Sequence, residues 1–262
     1  MSLQNKKSLG QHWLKDRQIL DEIAELACVD DPNTYNTCLE IGPGLGFLTS
    51  SLLRVFPKVI AVEFDKKLAD NLPNSFPGKN LEVENADFLQ FDLSSIPDPY
   101  IVAGNIPYYI TSPIIMKLLQ ANNKPKRIVL LVQKEVAERV VAGATSISRQ
   151  KPAFFSLAVQ NLAEVALGPV VKRELFTPPP KVDSQVIMLI PRQKPVISSD
   201  ALKLAERAFS APRKKLIKNL SPYYSTDSLK LTLSSLEISL DARPADLCLS
   251  DWQRLYNSLN LK

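Results

Sequence analysis

Apolar residues recur along this chain in two alternating rhythms up to residue 191 and in only one after it. Ile19, Leu20, Ile23, Leu26 and Ala27 fall at helical spacing and predict an amphipathic helix over 17–28. A polar loop over 30–36 leads to Thr37-Cys38-Leu39-Glu40-Ile41, a short buried strand, and then to a helix with Leu48, Leu52, Leu53 and Val55 on one side. Further strands are predicted at 59–63, 81–85, 100–105 and 128–132. Ser112-Pro113 opens a helix that buries Ile114, Ile115, Leu118 and Leu119. Helices at 133–141 and 154–162, then strands at 163–171 and 185–190, complete this part. Strand alternating with helix is the pattern of an α/β domain. Beyond the linker Pro191–Ser199 the pattern is helical throughout, at 200–210, 213–221, 225–237 and 250–260. The expected organisation is an α/β domain over 1–191 and a small all-helical domain over 192–262.

Composition narrows the class. The 262 residues are 45% hydrophobic and 23% charged, enough for a real core and too mixed for global disorder. The longest aliphatic runs are far too short to span a bilayer, and Met1–Trp13, with Lys6 and Lys7, lacks the apolar core of a signal peptide. Three scattered cysteines, Cys28, Cys38 and Cys248, argue against a disulfide framework and fit a reducing cytoplasm. With His12 the single histidine, a zinc site and a Ser-His-Asp triad are disfavoured, and no metal is expected. The net charge of +5 is unevenly placed. Residues 1–190 hold 20 basic and 20 acidic residues, whereas 191–262 hold 12 and 7. An excess confined to the C-terminal part suggests an acidic partner there, nucleic acid being the commonest, although a solubilising surface would read the same.

Candidate chemistry gathers at strand ends. The first strand of the α/β domain runs into Gly42-Pro43-Gly44-Leu45-Gly46, a strand, Gly-rich turn and helix that lets backbone approach a nucleotide-like ligand. Its spacing is G-x-G-x-G and not G-x-G-x-x-G, which weighs against a dinucleotide. Glu63 closes the next strand 21 residues after Gly42, where an acid can accept both hydroxyls of a ribose. Asp87-Phe88 follows the third strand, and Asp87 can accept from an adenine amino group. The fourth strand ends in Asn105-Ile106-Pro107-Tyr108. Taken alone, that stretch reads first as a strand running into a Pro turn. It also supplies a side-chain carbonyl, a stiff backbone and a flat ring at one place, which suits a planar base with an exocyclic amine. Phe176-Thr177-Pro178-Pro179-Pro180-Lys181-Val182-Asp183-Ser184 is extended and stiff, either a plain connector or a rigid arm that presents Phe176 and Lys181 at a rim. Arg213, Lys214, Lys215 and Lys218 put four cations in six positions on one predicted helix, a phosphate-contacting surface or a solvated face.

Gly10-Gln11-His12-Trp13-Leu14, Glu40 to Gly46, Glu63, Asp87, Asn105 to Tyr108, Gln133-Lys134-Glu135-Val136, Phe176 to Ser184 and Arg213-Lys214-Lys215 occur in an order that resembles the ribosomal RNA adenine N6,N6-dimethyltransferases, in particular the bacterial small-subunit branch. The resemblance covers nearly the whole chain. It implies a Rossmann-like domain that uses S-adenosylmethionine as methyl donor, with a small helical C-terminal domain. By position it implies His12 and Leu14 beside the methionine end of the cofactor, Gly42 and Gly44 shaping its pocket, Glu63 at the ribose, Asp87 at the adenine, and Asn105 where cofactor and target base meet. The Asn105 side-chain oxygen and the Ile106 carbonyl would hold the target amine, with Tyr108 stacked on the base and Phe176 closing the other side. Lys181, Arg213, Lys214, Lys215 and Lys218 are the RNA-contact candidates. The implied activity is dimethylation of two adjacent adenosines in a hairpin loop near the 3′ end of 16S ribosomal RNA, by a cytoplasmic monomer acting on small-subunit RNA or a pre-30S particle. The rivals are a large-subunit adenine methylase and a non-catalytic ribosome-assembly factor on the same scaffold. Two stretches depart from the family pattern. The family usually has Asn-Phe where this chain has His12-Trp13, and a Tyr-Gly-Arg-Leu-Ser-like run where it has Lys151 to Ser156.

Overall fold

The computed structural model describes residues 11–28, 35–144 and 150–260. Gly10, Lys6, Lys7 and most of the predicted 30–36 loop lie outside those residues. The chain divides into two compact units, one of residues 1–137 and 164–191, the other of 138–163 and 192–262. The expected boundary at 191/192 is one of the junctions, but residues 138–163, assigned from sequence to the first domain, cluster with the C-terminal helices. The reason is packing. The apolar face of the 154–162 helix carries Leu157, which belongs to the core of the second unit, with Phe154 packed against it.

In the first unit, α1 (Arg17–Ala27) is capped by Asp16, whose carboxylate accepts from the Ile19 amide, and buries Leu20, Ile23, Ala24 and Ala27. The chain then alternates through β2 (Thr37–Ile41), α2 (Phe47–Val55), β3 (Lys58–Glu63), α3 (Lys66–Asn71), β4 (Leu81–Asn85), β5 (Tyr100–Asn105), α4 (Thr111–Gln120) and β6 (Arg127–Gln133). After α5 (Lys134–Val140) and α6 (Phe154–Leu162) come β7 (Ala163–Val171) and β9 (Ser184–Pro191). Seven of these strands form one sheet in the order β4-β3-β2-β5-β6-β9-β7. Strands β2 to β6 pair in parallel, and β9 runs antiparallel to β6, with Ile128 opposite Leu189. Connections leave β2 towards β3 on one side, while β5 sits on its other side. The C-terminal ends of β2 and β5 therefore frame a switch point, where open α/β sheets bind ligands. Two short strands absent from the sequence reading, β1 (Trp13–Leu14) and β8 (Phe176–Thr177), pair antiparallel with Leu14 opposite Phe176.

The second unit adds to α6 the helices α7 (Ser199–Ala208), α8 (Leu216–Leu220), α9 (Thr226–Ser235) and α10 (Leu249–Asn260). Ser198 and Ser225 cap α7 and α9. Leu204, Ala205, Leu216, Leu229, Trp252 and Leu255 are among the residues of its core. The predicted helix over 213–221 is shorter than expected. Arg213 and Lys214 lie in a turn, Lys215 is the extended cap residue, and of the four cations only Lys218 is helical. The Asn219 side chain donates to the carbonyls of Ala208 and Ala211, which ties α8 to the end of α7 across the intervening turn. All four cations are nonetheless exposed.

Candidate active site at the C-terminal ends of the sheet

A cavity of about 250 Å³ opens at the switch point. Its wall includes His12, Trp13 and Leu14, the Gly-rich turn with Glu40, then Glu63-Phe64, Asp87-Phe88, and Asn105 to Ile110. Sequence reasoning had marked residues in each of these groups, and the parallel order of the strands brings their tips together.

The Gly-rich turn follows β2. Gly42, Gly44 and Gly46 all have left-handed backbone, φ 66°, 59° and 83°. A side chain at Gly44 would meet the Trp13 indole at 3.4 Å, and Gly42 has open space where a ligand can come against the backbone. The Gly44 amide donates to Glu63 Oε2 (3.0 Å), and the Asp65 amide donates to Oε1 (2.8 Å). Glu63 is thus locked across the turn while only 6% exposed. Burial pushes its carboxyl up, against the two amides that stabilise the charged form. Asp87 stands exposed after β4, with Oδ1 accepting from the Leu89 amide (2.9 Å). Phe88 is buried beneath it, with the Lys117 ammonium 5.9 Å from its ring.

At the end of β5 the Asn105 amide nitrogen donates to the His12 carbonyl (3.1 Å). That bond orients the side chain and leaves Oδ1 with no hydrogen-bond partner among the described residues. Ile106 is buried, which anchors the backbone next to it. The Tyr108 hydroxyl shares a 2.7 Å hydrogen bond with Ser184, and its ring lies nearly parallel to the His12 imidazole, 18° between planes and 6.0 Å between centroids. Burial raises the Tyr108 phenol, with Ser184 opposing. The His12 ring is held from its other end by the Pro178 carbonyl, 2.8 Å from Nδ1.

One expectation changes. Phe176, expected at the rim, is 3% exposed and packs in the core with Leu14, its β-ladder partner, and it does not line the cavity. Pairing of β8 with β1 turns that side chain inward. Lys181 is exposed on the segment that follows, and its carbonyl accepts from the Arg173 guanidinium. Sequence reasoning also missed four wall residues. Glu40 is 1% exposed, and its Oε2 has no hydrogen-bond partner among the described residues. Burial pushes its carboxyl up to about 8. Thr49, beside it without completing an ordinary hydrogen bond, offsets part of that rise, and Glu63 adds to it. An acid inside an otherwise apolar strand was the available signal. Trp13 packs over Gly44, and Phe64 and Tyr109, 62% and 66% exposed, stand at the cavity as unpaired aromatic surface.

Fold and site together define a Rossmann-like methyltransferase. Two solved structures resemble it over 95% of its length. A 23S rRNA methyltransferase, ErmE, is 29% identical with a TM-score of 0.76 over 99% of that chain. A dimethyladenosine transferase from Plasmodium falciparum is 28% identical with a TM-score of 0.77 over 98% of that chain. The chain belongs to the ribosomal RNA adenine dimethylase family, whose model matches residues 2–261. Its curated relatives include proteins named ribosomal RNA small subunit methyltransferase A. That of Gloeobacter violaceus is 42% identical over 97% of this chain and 93% of its own length. That of Mycoplasmopsis synoviae is 39% identical over 97% of each. The family's methyl donor is S-adenosylmethionine, and the donor set here fits it. A buried carboxylate oxygen without a partner, a carboxylate fixed at a Gly-rich turn and a third at the next strand tip suit a ligand with ammonium, hydroxyl and amino groups. No helix among the described residues is long and apolar enough to cross a membrane, and no group of described residues could hold a metal.

Proposed function

We propose that this chain transfers methyl groups from S-adenosylmethionine to the N6 amines of two adjacent adenosines in a hairpin loop near the 3′ end of 16S ribosomal RNA. It would do so in the cytoplasm, as a monomer, on small-subunit RNA or a pre-30S particle. The observation that carries the reading is the commitment of the Asn105 amide nitrogen to the His12 carbonyl, which reserves Oδ1 as an acceptor inside the cavity. The small-subunit choice is supported by the names of the relatives.

Gly42, Gly44, Leu14 and His12 would surround the cofactor, Glu63 would accept from its ribose and Asp87 from its adenine. The bound cofactor supplies a methyl group already activated on a positively charged sulfur. The chain's own work is to bring a weak nucleophile to it. An aromatic amine delocalises its lone pair into the ring. Two acceptors, Asn105 Oδ1 and the Ile106 carbonyl, would hold the N–H groups and turn the nitrogen towards tetrahedral geometry, with its lone pair aimed at the methyl. Orientation of this kind is worth roughly 7–11 kcal/mol at best. The base must leave its stack, at a cost of a few kcal/mol. Tyr108, braced by Ser184, offers it a stacking face, and stacking is typically worth about 1–3 kcal/mol per base. Lys181, Arg213, Lys214, Lys215 and Lys218 would contact phosphates.

Asn105→Ala tests the reading. Methyl transfer to small-subunit particles should slow by at least about a hundredfold, a rise of about 2.7 kcal/mol in activation free energy, as when one aimed polar group is lost from a preorganised site, while cofactor affinity changes little. Near-normal turnover would refute the role of Asn105. Methylation of large-subunit RNA in preference to small-subunit RNA would refute the substrate.

A further inference from the structure

The two exposed rings at the cavity, Phe64 and Tyr109, stand on opposite sides of β2. Phe64 follows β3, Tyr109 follows β5, and β2 lies between those strands. Phe64 sits next to Glu63, with its carbonyl accepting from the Asn85 side chain (3.2 Å), so it belongs to the end of the cavity proposed for the cofactor. Tyr109 belongs to the end proposed for the target base. We propose that Tyr109 is a stacking platform for the nucleobase next to the target adenosine in the RNA strand. The inference rests on the function proposed above and extends it to a second base.

Tyr108, Tyr109 and Ile110 form one 3₁₀ turn. With three residues to a turn, successive side chains point about 120° apart. Tyr108 is half-buried, and its hydroxyl is tied to Ser184. The next side chain therefore points away from that wall. Tyr109 is 66% exposed, and its side chain makes no hydrogen bond or ring contact with any described residue. Its mount is firm. The Ile110 amide donates to the Pro107 carbonyl (3.3 Å) and the Thr111 amide to the Tyr108 carbonyl. The turn runs straight into α4, where Ile114 and Ile115 are fully buried. Single exposed apolar side chains are ordinary. A tyrosine carried on a braced turn at the mouth of a cavity offers a large flat face at little further cost in side-chain entropy.

The substrate supplies the matching surface. A base that leaves its stack to enter the cavity deprives its neighbour of a stacking partner. That neighbour stays outside, one phosphodiester from the target, as Tyr109 is one peptide from Tyr108. A ring at this place replaces the lost partner and offsets part of the cost of extrusion. Every base has a π-face, so the platform takes an adenine before or after methylation, and a large purine fills it better than a pyrimidine. With two adjacent adenosines as substrate, one rests on Tyr109 while the other is in the cavity.

Small-subunit particles assembled from transcripts test the platform. One adenosine of the pair is replaced by guanosine or by uridine, so that each particle keeps a single target and differs only in its neighbour. As competitors of transfer to unsubstituted particles, the guanosine form should inhibit the wild type at least about fivefold more strongly than the uridine form in one of the two orientations. Tyr109→Ala should bring the two forms within about twofold and raise KM for unsubstituted particles about tenfold, with S-adenosylmethionine affinity unchanged. Tyr109→Phe, which keeps the ring, should retain both the preference and the KM. A preference that survives Tyr109→Ala, or a cofactor affinity that falls with the ring, overturns the proposal. Wild-type protein without transfer to any ribosomal RNA overturns the proposed function and this inference with it, whereas normal transfer with equal inhibition by the two forms in both orientations overturns this inference alone.

Discussion

Glu40 is the residue whose environment says most about the cofactor. It is an acid inside a five-residue strand in which every position is buried. Its folded value of about 8 stands above its ordinary 4.5. Below about pH 4.5 both folded and unfolded chains hold the proton, so the residue costs nothing there. Between about 4.5 and 8 the unfolded chain releases the proton and the folded chain keeps it, so stability declines as pH rises and levels off above 8. Glu40→Gln, the neutral isostere, should therefore make the cofactor-free protein more stable at pH 9, on the order of a few kcal/mol, and nearly neutral at pH 4. Denaturant melts at the two pH values measure this, and equal gains at both would contradict it. The same variant should bind S-adenosylmethionine more weakly, because the partnerless Oε2 is the atom a cofactor ammonium would satisfy. Glu63 and Asp87 were legible as candidates because two acids at the tips of successive strands after a Gly-rich turn are less easily dismissed than one. Glu40 gave only the weaker signal of an acid inside a mostly apolar strand, and the structure was needed to show that its Oε2 is buried without a partner among the described residues.

The elements that form the site divide by how local their cause is. The Gly-rich turn is local. Gly46 has φ 83°, and a Cβ there would sit 2.8 Å from Leu72 and from Phe76, beyond the end of α3. Gly46→Ala should cost about 2–4 kcal/mol from backbone strain and crowding together. The urea midpoint should shift with no change in slope, and a loss below about 1 kcal/mol would show that Leu72 and Phe76 yield easily. The β1–β8 ladder is not local. Its strands are two residues each and 162 positions apart, Leu14 against Phe176, one in a polar stretch and one just before three prolines. Nothing in the periodicity of either stretch announces a strand. The consequence is large, since that pairing sends Phe176 into the core and brings His12 to Pro178 and Tyr108. The rim role expected of Phe176 failed for this reason, and the aromatic partner found beside Tyr108 is His12.

Taken whole, the molecule puts the cavity in one unit and most of the RNA-contact candidates in the other. The two jobs should therefore separate experimentally. Neutralising Arg213 and Lys214 together should weaken RNA binding and make its salt dependence shallower by about one to two units in the log–log slope, with S-adenosylmethionine affinity unchanged. An unchanged slope would return the segment to a solvated turn. Lys215 is the weaker candidate, because it already pairs with Asp241. The α/β order, the strand tips, the Gly-rich turn and the helical character of the C-terminal part were determined by sequence alone. Each rests on contacts between near neighbours: continuous apolar runs, helical spacing and glycines that no other residue can replace. Tertiary structure alone decided that residues 138–163 join the C-terminal unit, that Arg213 and Lys214 sit in a turn, and that Phe176 is core. It also decided that Glu40 Oε2 is buried without a hydrogen-bond partner among the described residues and that His12 contacts both Asn105 and Tyr108. Those outcomes depend on partners outside the local repeat, from Asn219 on Ala211, 8 residues away, to Phe176 on Leu14 at the far end of the domain, and a local pattern carries no information about which surface a side chain will meet.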